Sequence, residues 1–275
     1  MWHEVKEKCN RFHSRFALFH LLDYNLTIYM CNRLQYFAAE LFISSITQVS
    51  RQEMGHERSP ILIYDDFYPE PVSLRQTAAG SFFVNGGEVY PGIRASLPSE
   101  YFRILSEKLV PSIEPVFVGT VLDGFENCTF SMVTTPPDKL KLNQCFPHTD
   151  ENDENYLAFI HYLCDEQLGG TNFFRHKPSG YERITLERAP RYNAAMGNVI
   201  REKMQSSYTP LYFSEDDTLF ERIFSAKNKF NRLVVYSGAN LHSGDIPHPE
   251  SLSEDPASGR LTITGFIPLT PHTQT

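Results

Sequence analysis

Cys145-Phe146-Pro147-His148-Thr149-Asp150 is the stretch on which the reading of this chain turns. An extended backbone sends side chains i and i+2 to the same side, so His148 and Asp150 leave the segment together. An imidazole and a carboxylate pointing the same way can fill two positions on one metal ion. Leu241-His242-Ser243-Gly244, after an apolar strand-like run, offers a third ligand. Taken alone, H-x-D is equally the pattern of a surface turn with a capping aspartate, and His242 also suits a core position at a strand end.

Further on, Arg260-Leu261-Thr262-Ile263-Thr264 alternates so that Arg260 and Thr262 share one face of a strand. A planar, permanently charged guanidinium beside a hydroxyl suits a carboxylate. Arg175 and Arg232 are the other basic residues that could take that role. Two histidines and one carboxylate on one face of a metal, with the other face open, is the arrangement of non-haem Fe(II) oxygenases. The order H-x-D, a long gap, His, then Arg-x-Thr resembles the 2-oxoglutarate/Fe(II)-dependent oxygenases of the prolyl-4-hydroxylase-like type, over roughly Pro60 to Leu269. More closely, a bacterial branch of that superfamily is similar in Tyr90-Pro91-Gly92-Ile93-Arg94, Pro147-His148-Thr149-Asp150, His161-Tyr162-Leu163 and the run Gly169 to His176.

The resemblance implies a distorted double-stranded β-helix, or jelly roll. It implies Fe(II) held by His148, Asp150 and His242, with 2-oxoglutarate as co-substrate and O2 as oxidant. Arg260 and Thr262 would anchor the far carboxylate of 2-oxoglutarate, and the Tyr162 phenol would hydrogen-bond it. The implied reaction is hydroxylation of a C–H bond in an amino acid, peptide or protein side chain. Asp150 argues against a halogenase, in which halide takes the place of this carboxylate. Two other classes stay open at this level: a zinc-dependent hydrolase on the same triad, and a non-catalytic jelly-roll scaffold.

His161 and His176 are rival ligands. His161 alternates with Leu157, Phe159 and Leu163 and so suits the core, while His176, after Gly169-Gly170, suits a place near the metal or a structural one. Gly169-Gly170 reads as a turn, since no P-loop lysine follows. The acidic run Asp150 to Asn155 reads as a solvated loop, or else as a lip that attracts a cationic substrate.

With 275 residues, 41% of them hydrophobic, the chain can bury a sizeable core, and 14 Tyr with 21 Phe favour pleated sheet. A formal charge of −8 argues against a broad nucleic-acid-binding surface. Five widely spaced cysteines without a C-x-x-C point to a reducing, cytoplasmic setting. Residues 1–58 read as an N-terminal extension of one or two amphipathic helices, packed on the main domain or on a partner and ending in a linker near Arg51 to Ser59; a non-native upstream extension is the alternative. Asp23, Arg33 and Glu40 interrupt its apolar runs short of a membrane span.

Residues 59–275 read as the β-rich domain with supporting helices. Strands are expected at Ile61–Tyr64, Val116–Leu122, Thr129–Val133, Asn143–Phe146, Tyr156–Leu163, Thr171–Arg175, Phe220–Phe224, Leu233–Tyr236 and Arg260–Ile267. Helices are expected at Pro69–Ala79, Pro98–Val110 and Arg191–Gln205, and an inserted loop at Pro247–Gly259.

Overall fold

The computed structural model describes residues 47–117, 119–121 and 124–270. The helices expected before Thr47 lie outside the described residues. Twelve strands and three helices make up the β-rich part. They are β1 (Gln48–Met54), β2 (Ser59–Asp65), α1 (Pro71–Ala79), β3 (Val84–Asn85), β4 (Gly92–Ser96), α2 (Ser99–Ile113), β5 (Thr120–Val121), β6 (Glu126–Val133), β7 (Tyr156–Tyr162), β8 (Thr171–His176), α3 (Ala189–Met204), β9 (Phe220–Ala226), β10 (Leu233–Ser237), β11 (His242–Gly244) and β12 (Leu261–Thr270).

All pairings are antiparallel. The larger sheet runs β1-β2-β10-β7-β12-β6-β4-β3, with β5 added beside β12, and the smaller runs β11-β8-β9. Alternation along the strands builds the layers. On β7, Leu157 and Phe159 point to one side and join α1 and α2 through Leu74, Ala78, Tyr101, Leu105 and Leu109. Ala158, Ile160 and Tyr162 point to the other side, where Phe173 of β8 and Ala226 of β9 meet them. The outer face of the small sheet is closed by α3, whose Ala189, Tyr192 and Met196 pack on Phe174 and Phe220. Leu105, Leu109 and Ile113 recur every fourth residue on α2 and are fully buried, each worth roughly 1.5–3 kcal/mol of apolar burial.

Three expectations need correction. The stretch read as a linker is a hairpin: β1 pairs with β2 along its whole length, across a turn with Gly55 at φ 63°. β1 is an edge strand with only Met54 buried, so its polar sequence resembles a linker. Asn143–Phe146 is a 3₁₀ turn (Leu142–Cys145) instead of a strand, because the Lys141 N–H donates to Gln144 Oε1 and the Gln144 N–H to the Lys141 carbonyl. Of the expected strand Val116–Leu122 only Thr120–Val121 is a strand among the described residues, because the chain leaves α2 through a turn that includes Val116. Among the described residues no helix is long and apolar enough to cross a membrane.

Candidate metal centre

Pro147–Asp150 lies alongside β11 as a short added strand. The His148 N–H donates to the His242 carbonyl and the His242 N–H to the His148 carbonyl, both at 2.9 Å, and the Asp150 N–H donates to the Gly238 carbonyl at 2.9 Å. Residues that exchange both backbone bonds put their side chains on the same face. The imidazole rings of His148 and His242 therefore stand with centroids 4.5 Å apart, and His242 Nε2 is 3.5 Å from Asp150 Oδ2. One ligand atom from each of the three residues falls within 4.8 Å of the others. The expected triad is thus brought together.

The protonation states suit a cation. Nδ1 of His242 bonds the Asn240 carbonyl at 2.9 Å; the carbonyl can only accept, so the proton sits on Nδ1 and Nε2 is free as a ligand. Burial pushes the His242 imidazole down to about 4. His148 is the solvent-exposed member of the three, at the opening of the cavity, and the protein packed around its ring, with His242 beside it, lowers it to about 4. Burial raises the Asp150 carboxyl to about 6, opposed by the charges of His148 and Arg94. Both rings are neutral and Asp150 is mostly ionised at neutral pH. Tyr236 and Phe173 pack their rings against His242, at 5.0 and 6.1 Å, and hold it in place.

The triad opens into a cavity of about 500 Å³ between the sheets, in the usual range for a small-molecule site. Arg260 and Thr262 both line it. The Arg260 side chain is buried, and it donates from Nε to the Leu168 carbonyl at 3.1 Å and from Nη2 to the Gly170 carbonyl at 2.7 Å. Those carbonyls are presented by the Gly169-Gly170 turn: Gly169 has φ 79°, and a β-carbon on Gly170 would collide with the Ala226 carbonyl. The inserted loop before Arg260 does not displace it, for β12 follows at once. Thr262 differs from the expectation, because its hydroxyl donates to the Ser131 carbonyl at 3.1 Å and so offers a ligand only lone pairs in this arrangement. The Tyr162 hydroxyl bonds Thr171 Oγ1 at 2.7 Å, and Thr171, not Tyr162, lines the cavity.

The rival histidines are elsewhere. His161 is fully buried on the helix side, between the Tyr101 hydroxyl at 2.9 Å and Asn231 Oδ1 at 3.0 Å. His176 lies under α3, bonded to Ser179 Oγ at 2.8 Å and packed on Tyr192 and Phe220. Of the acidic run, Asp153 accepts from the Asn155 N–H and Glu154 pairs with Arg183, so two of its charges hold the loop together. A second cavity, of about 380 Å³, is lined by residues of β1, β2 and β9 and by Arg232, and contains neither the triad nor the rival histidines.

Sequence reasoning assigned no role to Tyr90, Arg94 or Tyr236, which line the same cavity. The Tyr90 hydroxyl reaches Ser131 and Thr262, close to the charge of Arg260, and burial raises it to about 12. The similarity noted around Tyr90–Arg94 was the one signal that could have found the first two.

The family model of DUF6445, a family of unknown function, matches residues 46–267, and the chain belongs to that family. No curated protein matches the chain. Among solved structures it is similar to HygX from Streptomyces hygroscopicus with nickel and 2-oxoglutarate bound (12% identity, 78% of this chain and 84% of that one, TM-score 0.44). The same protein with hygromycin B also bound gives 13% identity, the same coverage and TM-score 0.40. An N-substituted L-amino acid dioxygenase from Burkholderia ambifaria AMMD, in complex with alpha-KG, gives 11% identity over 83% of this chain and 97% of that one, TM-score 0.37. These likenesses are distant, and the chemistry has to be read from the chain's own residues.

Proposed function

We propose that this member of the DUF6445 family is a 2-oxoglutarate- and Fe(II)-dependent oxygenase that hydroxylates a C–H bond of an amino acid, peptide or protein side chain. The observation that carries the reading is one cavity containing both a two-histidine, one-carboxylate cluster and a buried guanidinium without a carboxylate partner. The ion pairs among the described residues do not include Arg260. The alternative candidates are already paired, Arg175 with Glu182 and Glu221, and Arg232 with Asp65. A buried, unpaired guanidinium is costly unless an anion arrives to meet it.

The strand order supports a double-stranded β-helix. From β6 onward the chain alternates between sheets: β6 large, the His148 segment small, β7 large, β8 and β9 small, β10 large, β11 small, β12 large. The result is β10-β7-β12-β6 facing a second row made of the His148 segment, β11, β8 and β9. This alternation supports the reading of a jelly roll closed around a central site.

His148, Asp150 and His242 would hold the metal on one face and leave the other for co-substrate and oxygen. Together, Fe(II), 2-oxoglutarate and O2 supply oxidation of a substrate C–H bond with release of succinate and CO2. The chain's own part is positional. Arg260, whose Nε and Nη2 are held by the Leu168 and Gly170 carbonyls, would hold the far carboxylate of the co-substrate, with Tyr90 and Thr262 beside it. The apolar wall of Ala158, Ile160 and Phe266 keeps the region dry. A zinc hydrolase on the same triad would leave Arg260 without a purpose. A cytoplasmic setting is proposed from the spacing of the cysteines alone. A partner contact through the N-terminal segment is proposed from composition alone. The test is anaerobic reconstitution with Fe(II) and 2-oxoglutarate, followed by oxygen. Succinate release and a substrate gain of one oxygen atom are expected, and Fe(II) binding without 2-oxoglutarate binding would refute the reading.

A further inference from the structure

The cavity contains a second guanidinium that the proposed chemistry does not use. Arg94 lies on β4, where it registers against Ser131 of β6, which in turn registers against Thr262 of β12. Registered neighbours share a face, so Arg94 projects into the same space as Thr262. Two strand spacings, about 10 Å, separate the two backbones. Arg94 and Arg260 are therefore placed to meet different anions.

Arg94 has no partner of its own. Its Nε is buried without a hydrogen bond, and it is absent from the ion pairs of the described residues. Its guanidinium carbon stands 4.4 Å from the centre of the Tyr90 ring, a cation–π contact that fixes the plane of the fork but satisfies no N–H. Asp150 shares the cavity and feels the charge of Arg94 without bonding it, but it is placed to ligate the metal.

The charges of the loaded site point the same way. A divalent metal and a doubly charged 2-oxoglutarate cancel, and so do Asp150 and Arg260. Among the charged residues that line the cavity Arg94 then remains as the one uncompensated positive charge; Glu151, whose charge also acts on Asp150, does not line it.

We infer that Arg94 is the specificity-determining residue of this cavity and takes the carboxylate of the primary substrate, which makes that substrate a small organic acid. The inference rests on the oxygenase reading. It runs against the cationic substrate suggested by the acidic run, whose Asp153 is bonded within the loop and whose Glu154 pairs with Arg183 outside it. A planar fork meeting a carboxylate in two parallel bonds also fixes which substrate carbon lies nearest the metal.

The experiment uses the full chain loaded anaerobically with Fe(II) and 2-oxoglutarate. Straight-chain and phenyl-substituted monocarboxylic acids and the L-amino acids are each titrated beside their primary amides, by calorimetry and thermal shift. At least one acid should bind the wild type tenfold or more tighter than its amide. Arg94→Gln should abolish that preference while leaving Fe(II) and 2-oxoglutarate affinities within twofold, and Arg94→Lys should restore part of it. The inference is overturned if no acid binds the wild type, if acids and amides bind alike, or if Arg94→Gln weakens 2-oxoglutarate itself. A wild type that takes up Fe(II) but no 2-oxoglutarate fails at the loading step, and there the oxygenase reading falls and the role of Arg94 with it.

Discussion

His148 and His242 are each other's backbone partners, each N–H donating to the other's carbonyl at 2.9 Å. The distance between the two candidate ligands is therefore set by a β-bridge, and not by side-chain packing alone. A site fixed in this way is formed before any metal arrives.

The first prediction concerns that triad. His148→Ala, Asp150→Ala and His242→Ala should each weaken Fe(II) binding by on the order of a hundredfold, since each removes one of three protein ligands. The fold should survive, because the bridge is made by backbone atoms. Anaerobic calorimetry reads the first effect and circular dichroism the second. Undiminished iron affinity in all three variants would place the metal elsewhere.

The second concerns pH. Metal binding requires an ionised Asp150 and neutral imidazoles. With Asp150 raised to about 6, Fe(II) affinity should be flat above that pH and fall as pH drops through it, by about tenfold per unit. The two histidines, held near 4, should steepen the fall only below that value. An affinity that stays flat down to about pH 4 would contradict a raised Asp150.

His161 provides a contrast. It lies between Tyr101 and Asn231 on the helix side of β7, and His161→Ala removes both bonds and leaves a void. Unfolding free energy should fall by roughly 2–4 kcal/mol, with Fe(II) affinity unchanged. Chemical denaturation and calorimetry separate the two readouts.

A fourth prediction concerns where the β-rich part begins. A chain starting at Thr47 keeps β1, and should fold and bind iron. One starting at Ser59 loses fully buried Met54, and also Glu57, which pairs with Arg183 at 3.0 Å and Arg188 at 2.7 Å. It should be several kcal/mol less stable. Equal melting temperatures would show that β1 is dispensable.

What was legible in the sequence was what local patterning carries. H-x-D signals itself because its residues are two apart on an extended chain, and Arg260 with Thr262 for the same reason. The helix faces of α1 and α2 and the alternation of β7 were likewise readable. The resemblance around Tyr90–Arg94 marked that stretch, but the role of Arg94 was not legible, because it reaches the cavity through the pairing of β4 with β6, which no local pattern encodes. Tyr236 looked like any buried aromatic of an apolar strand. β1 was missed because an exposed edge strand has the composition of a linker.

The most direct test is an anaerobic titration of the Fe(II)-loaded protein with 2-oxoglutarate, in wild type and Arg260→Ala, followed by visible absorption. In the wild type a charge-transfer band should grow in and saturate with one equivalent of co-substrate. In Arg260→Ala, Fe(II) affinity should be unchanged while co-substrate affinity falls by roughly a hundredfold, the loss of a charge-assisted contact in a buried pocket. No band in the wild type, or the same 2-oxoglutarate affinity in both proteins, would contradict the account.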